Sequence, residues 1–267
     1  MSHSGSGMSR LLAIMSRLRD PQNGCPWDLE QTFASIAPHT IEEAYEVVEA
    51  IESGDRAALC DELGDLLFQV VFYAQMGREE GCFDFETIAA VICDKMERRH
   101  PHIFRGADAP RVENADAQVA AWEETKAAER AAKAAGGVLD GVSTALPAIT
   151  RALKLQGRAA RVGFDWPQAA DVLDKIEEEI GEVRQELPAA SPDRLEDEVG
   201  DLLFACINLA RKLKVDPESA LRRCNRKFET RFRHIERELA RAGRSPDEAG
   251  LEEMERLWVA AKQETGA

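Results

Sequence analysis

Apolar residues recur at intervals of three and four along most of the chain. Leu11, Leu12, Met15 and Leu18 share one side of residues 8–19, which predicts an opening amphipathic helix. Leu63, Leu66, Leu67, Val70, Val71 and Ala74 mark a longer helix over 61–76, and 85–99 reads as another. The second half follows the same plan, with helices expected over 148–160, 168–187, 195–213, 217–242 and 248–262. Residues 120–135 are rich in Ala, Glu and Lys and read as a connecting helix, broken by Gly136 and Gly137. No stretch has convincing period-two alternation. The reading is all-α, with two helical bundles in tandem over 8–130 and 131–267.

The polar positions carry a second regularity. Glu43, Glu46, Glu62 and Asp65 recur as Glu179, Glu182, Glu198 and Asp201, each pair 136 residues apart. Within each pair of acids the spacing is three, so on a helix both face the same way. The turn signal Glu52-Ser53-Gly54-Asp55 separates the first two pairs, six residues from Glu46 and six before Glu62, when counted from Glu52 and Arg56. Six helical residues span roughly 9 Å, so an antiparallel hairpin brings the two acid pairs level. Pro188 to Pro192 forms the corresponding turn in the second copy. Four carboxylates then converge in each hairpin, and such a cluster either raises its own pKa values or takes a cation. Hard oxygen ligands suit Mg²⁺, with Mn²⁺ as a substitute. A solvated acidic helix face is the plain alternative for a single pair, and the matched quartets outweigh it. Thr40 offers a further alternative for Glu43, since Thr-x-x-Glu is a capping box that would place Glu43 at a helix start.

Composition narrows the function classes. The net charge is −15 and the pI near 4.9, which argues against a general nucleic-acid or anionic-membrane surface. A small phosphorylated ligand stays compatible, because a bound cation reverses the local sign. Six scattered cysteines with no Cys-x-x-Cys read as reduced thiols in a cytoplasmic protein. The longest apolar run, around 66–74, is too short to span a membrane, and no signal peptide is visible.

Several phrases beyond the quartets carry a family likeness: Asn23-Gly24-Cys25-Pro26-Trp27-Asp28, Ile36-Ala37-Pro38-His39-Thr40, Asp61-Glu62-Leu63-Gly64-Asp65-Leu66-Leu67-Phe68, Glu97-Arg98-Arg99-His100-Pro101-His102 and Val162-Gly163-Phe164-Asp165-Trp166. On these the chain resembles the MazG family of nucleoside triphosphate pyrophosphohydrolases, within the all-α NTP pyrophosphatase superfamily. The resemblance implies two MazG-type bundles, each with an acidic helical hairpin, pairing into a homodimer. It implies Mg²⁺-dependent conversion of an NTP or dNTP and water to NMP or dNMP and diphosphate, with broad base specificity and a role in nucleotide-pool housekeeping. It places the main site in the second bundle, with Glu179, Glu182, Glu198 and Asp201 as metal ligands and Glu178 beside them to join the site or orient the attacking water. Lys175, Lys227 and Arg231 are implied as phosphate-binding cations, Trp258 as a platform for the base or a closing residue, and Lys126, which matches a lysine of the interdomain segment, as a further nucleotide-binding residue. The quartet Glu43, Glu46, Glu62 and Asp65 is then either a second site or a metal-binding regulatory bundle, the latter preferred on the resemblance.

Other classes make different demands. A di-iron bundle wants Glu-x-x-His on two helices, and only Glu97 to His100 has that spacing. His100 and His102 read as structural. A non-catalytic interaction scaffold would show no Mg²⁺ dependence. A specialised dUTP or phosphoribosyl-ATP pyrophosphatase would show a narrow base preference.

Overall fold

The structure is a computed structural model that describes residues 6–104, 113–115, 117–119, 121–122, 125, 129, 137–188 and 191–265. Among these residues the fold is all-α and no strand occurs. The chain divides into two compact units, Met1–Ala132 and Lys133–Ala267.

The first unit opens with α1 (Gly7–Leu18), a short α2 (Pro26–Glu30) and the hairpin α3 (Phe33–Ser53) and α4 (Arg56–Glu79), followed by α5 (Phe85–Arg99) and α6 (Pro101–Phe104). Met15, Ile36, Val71, Phe72 and Met76 form its buried centre, with Leu11, Leu12, Phe33, Phe68 and Phe85 packed around it. Of the stripes read on α1 and α4, Met15, Val71 and Ala74 are buried; Leu63 is exposed, and Phe72 and Met76, outside the stripe, complete the buried face of α4. The hairpin turn has a local cause at each step. Gly54 closes α3 in the left-handed conformation at φ +76°, where a side chain is strained. Asp55 then caps α4, its Oδ1 accepting from the backbone of Ala57 and Ala58. Thr40 Oγ1 meets the Tyr73 hydroxyl at 2.9 Å and ties the arms together.

One expectation is corrected here. Thr40 does not start a helix: α3 begins eight residues earlier, where Thr32 is the N-cap and forms a reciprocal capping box with Ser35. Pro38 lies inside α3, removing one backbone donor without ending the helix. Its presence just before Thr40 mimics a helix boundary. Glu43 is therefore a mid-helix residue and its carboxylate is not used for capping.

The second unit repeats the arrangement with α7 (Ala148–Arg161), the hairpin α8 (Ala169–Glu186) and α9 (Pro192–Lys212), the long α10 (Pro217–Arg241) and the closing α11 (Leu251–Thr265). Ser191 and Pro192 start α9, Pro at the first position costing no hydrogen bond. The loops preceding the hairpins are pinned to the far end of the second arm, with opposite polarity. In the first unit Arg19 reaches Glu79 at 2.7 Å and also donates to the Asp28 carbonyl. In the second, Asp165 holds Lys212 at 2.6 Å and pairs with Arg211. Most of the connecting segment expected over 120–135 lies outside the described residues.

Candidate active site

The second hairpin brings three of its four acids together. Glu179 and Glu182, on one face of α8, and Glu198, on α9, each offer a carboxylate oxygen within 4.8 Å of the others. Asp201 is exposed and does not join that group. Glu179 is the buried member, its side chain 6% exposed. One of its oxygens, Oε1, meets Lys175 Nζ at 2.9 Å; the other, Oε2, is buried and accepts no hydrogen bond. Lys175 also meets Glu178 Oε1 at 2.8 Å, so this lysine lies between the two acids one turn ahead of it. The two carboxylates hold the Lys175 ammonium well above the usual lysine range. Glu182 is raised as well, but there the shift disfavours the charged form. The adjacent Glu179 carboxyl raises its pKa first, and desolvation and Glu198 add to the effect. An orphaned buried carboxylate oxygen beside two crowded carboxylates is the donor set a hard divalent cation takes.

The first hairpin makes a similar group from a different subset. Glu43 on α3 and Glu62 and Asp65 on α4 offer oxygens within 4.8 Å of one another. Glu46 stays outside that group, although its charge acts on both Glu43 and Glu62. Burial, then the Asp65 and Glu46 charges, raise the pKa of Glu43; Glu62 is raised by desolvation and then by Glu46 and Asp65. Two differences separate the copies. The position matching Lys175 is His39, whose Nδ1 lies 3.4 Å from Glu42, the counterpart of Glu178. The position matching Ala205 is Gln69, a buried amide whose Nε2 donates to Glu43 Oε1 at 3.4 Å while its own Oε1 has no partner. Where the second hairpin holds an ammonium against its acids, the first holds a neutral amide.

The expected phosphate cations lie on α10. Lys227 is exposed, and Arg231 follows one turn later with its guanidinium carbon 5.8 Å from the Trp258 ring centroid. Trp258, on α11, also packs against Phe228 at 5.3 Å. Arg231 and Trp258 are thus brought together, as one cation–aromatic cluster. Lys126 lies outside the described residues.

Helical spacing alone does not reveal three participants. Gln69 only interrupts an apolar run, although the 136-residue offset sets it against Ala205 and so marks a difference between the copies. Phe228, beside Trp258, is visible only once α10 and α11 meet. Glu129 accepts from Arg99 Nη2 at 2.5 Å and from Arg98 Nη2 at 2.8 Å, a contact 30 residues long in the chain that has no local signal.

Comparison with known proteins follows the same repeat. Residues 31–104 and 168–236 match the MazG nucleotide pyrophosphohydrolase domain, one segment for each hairpin and the helix after it. The chain is 54% identical over 259 residues to a nucleoside triphosphate pyrophosphohydrolase of Escherichia coli K12, covering 96% of this chain and 97% of the relative. It is 40% identical over 262 residues to the nucleoside triphosphate pyrophosphohydrolase/pyrophosphatase MazG of Thermotoga maritima, covering 98% of each.

Proposed function

The chain belongs to the MazG nucleotide pyrophosphohydrolase family, and we propose that it hydrolyses nucleoside triphosphates, ribose or deoxyribose, to the monophosphate and diphosphate, with the second unit as the catalytic one. The observation that carries the assignment to this unit is Glu179, buried, flanked by Glu182 and Glu198, with Oε2 unsatisfied. Glu179, Glu182 and Glu198 are the residues to hold Mg²⁺, and Asp201, one turn after Glu198 on α9 but outside their close group, is proposed as a fourth ligand. A divalent cation bound there supplies neutralisation of the phosphate charge and a more acidic bound water.

The chain's own groups do the rest. The water oxygen bonds to one of the two phosphorus atoms of the α–β phosphoanhydride as that atom's bond to the bridging oxygen breaks; the other product keeps the bridging oxygen, and the water's proton is released. Glu178, more than half exposed and paired with Lys175, is assigned the role of joining the site or orienting that water. Lys175, Lys227 and Arg231 are assigned to the substrate phosphates, where cations one turn apart grip adjacent oxygens. Trp258 presents an aromatic face that accepts any base by stacking, which fits broad base specificity and a housekeeping role in the nucleotide pool. Among the described residues no helix is long and apolar enough to cross a membrane, and reduced thiols fit a cytoplasmic protein. A groove of about 950 Å³ in the second unit, lined by Leu146, Ile149, Leu203, Phe204, Ile207 and Leu221, leaves apolar side chains uncovered and supports a homodimer through this face.

Product analysis tests the reading. The full chain is incubated with a panel of NTPs and dNTPs, with and without Mg²⁺, resolving diphosphate from phosphate, alongside Glu182→Gln, Glu46→Gln and the double variant. Mg²⁺-dependent monophosphate and diphosphate, lost in Glu182→Gln and kept in Glu46→Gln, is the expected result. Loss only in Glu46→Gln moves the site to the first unit, and no diphosphate from any nucleotide rejects the activity.

A further inference from the structure

The two units match beyond their acids. Asp84 caps α5 and Asp216 caps α10. Counting 11 and 15 residues from each cap reaches Lys95 and Arg99 in one unit and Lys227 and Arg231 in the other. The late tryptophans correspond too: Trp122 and Trp258 are 136 residues apart, and each rests on an aromatic ring of the preceding helical segment, His100 at 5.0 Å and Phe228 at 5.3 Å. The units differ in what faces the second cation. Arg231 faces the ring of Trp258. Arg99 faces a carboxylate, with Glu129 Oε2 at 2.5 Å from its Nη2 and Oε1 at 2.8 Å from the neighbouring Arg98 Nη2. The Glu129 side chain is 22% exposed, and its hydrogen bonds with Arg99 and then Arg98 bring its pKa down to about 2, so the carboxylate is charged at any physiological pH. The same offset carries Glu129 to Thr265, which has no charge.

We infer that Glu129 occupies, in the first unit, the seat that a substrate phosphate takes at Arg231 in the second, so that the first unit holds a divalent cation without a nucleotide. Two guanidinium groups chelating the two oxygens of one carboxylate reproduce the fork geometry by which arginine grips a phosphate. The metal half of the site is unaffected by this: Glu43, Glu62 and Asp65 converge, and the buried Gln69 Oε1 stands beside them without a partner. The units are then complementary in their resting charge. Among the described residues, Lys175 covers the acids of the second unit and Arg231 has no carboxylate on it, whereas in the first unit the acids carry no lysine and the arginines are covered by an acid. The inference rests on the proposed phosphate role of Lys227 and Arg231.

The test is nucleotide stoichiometry in the full chain. Isothermal titration with α,β-methylene ATP and Mg²⁺ should give one nucleotide per chain in the wild type. Glu129→Gln, which keeps the shape and removes the charge, should give two, and Arg99→Ala added to it should return the count to one. A folded Glu129→Gln chain that still binds one overturns the inference. A wild-type count of two also overturns the inference, and a fall to one in Arg99→Ala would then put the second nucleotide in the first unit. Lys227→Ala with Arg231→Ala separates the premise. If that pair leaves the wild-type binding event intact, the phosphate role itself fails and the inference falls with it, whatever Glu129→Gln shows.

Discussion

Replacing Lys175 by methionine separates the metal-free state of the second unit from its metal-bound state. The side chain keeps its length and loses its charge, leaving Glu179 Oε1 without the ammonium now 2.9 Å away. Because the Glu179 side chain is 6% exposed, its carboxylate is then buried with no partner in the ion pair. Removing one member of a buried pair costs about 3–5 kcal/mol. Lys175 is 29% exposed, so water screens part of the interaction, and roughly 1–3 kcal/mol is the expected loss. For a unit of this size that lowers the melting temperature by about 3–10 °C. Differential scanning calorimetry of the full chain in chelator should show this fall. Saturating Mg²⁺ should then raise the melting temperature more in the variant than in the wild type, since the cation neutralises charges that the lysine no longer does. An unchanged metal-free transition, or an equal Mg²⁺ increment in both proteins, would refute the claim that Lys175 offsets the charge of the cluster.

Three further outcomes follow from the geometry. Glu182 carries a raised pKa in the metal-free protein, so protons compete with the cation from above the ordinary glutamate range; Mn²⁺ affinity by titration should fall as the pH drops towards that range, and a flat profile would contradict this. Glu129 is depressed in the fold to about 2 against 4.5 when free, so its contribution is complete above 4.5 and disappears as pH falls through about 2; the difference in melting temperature between wild type and Glu129→Gln should close across that window. Phe72, 1% exposed at the centre of the first unit, should cost about 3–5 kcal/mol when changed to alanine, read as a lower melting transition, and a shift under a degree would mean that the site collapses around the gap.

The parts of the fold that could be read from the chain are those set by local periodicity. The stripe Val70, Val71 and Ala74 and the Glu-x-x-Glu spacing both follow from 3.6 residues per turn, and the 136-residue offset shows that both hairpins are counted alike. Spacing places a residue on a face; it does not choose its rotamer. That is why the close oxygen groups omit Asp201 in one unit and Glu46 in the other, although their counterparts Asp65 and Glu182 are included. Thr40 is misread for a different reason: Pro38 imitates a boundary that the long α3, capped earlier by Thr32, runs straight through. Gln69 against Glu43, and Glu129 against Arg98 and Arg99, are contacts between distant segments, and no window of the sequence contains both partners.

The hairpin works as a ruler with a soft end and hard sides. An added residue within an arm advances everything beyond it by 1.5 Å and rotates it by about 100°, which swings an acid off the shared face. An added residue between the arms only lengthens the bend, at a small entropic cost. Across the two copies, sequence positions 53–55 and 189–191 differ in residue at each place, while the 136-residue offset holds without an insertion from the first acid pair to the second. Length in the arms is held in whole residues because it sets where the acids of the two arms meet. Variation across such hairpins should therefore come as substitutions and insertions at the bend, and an arm can change length only by whole turns added to both sides.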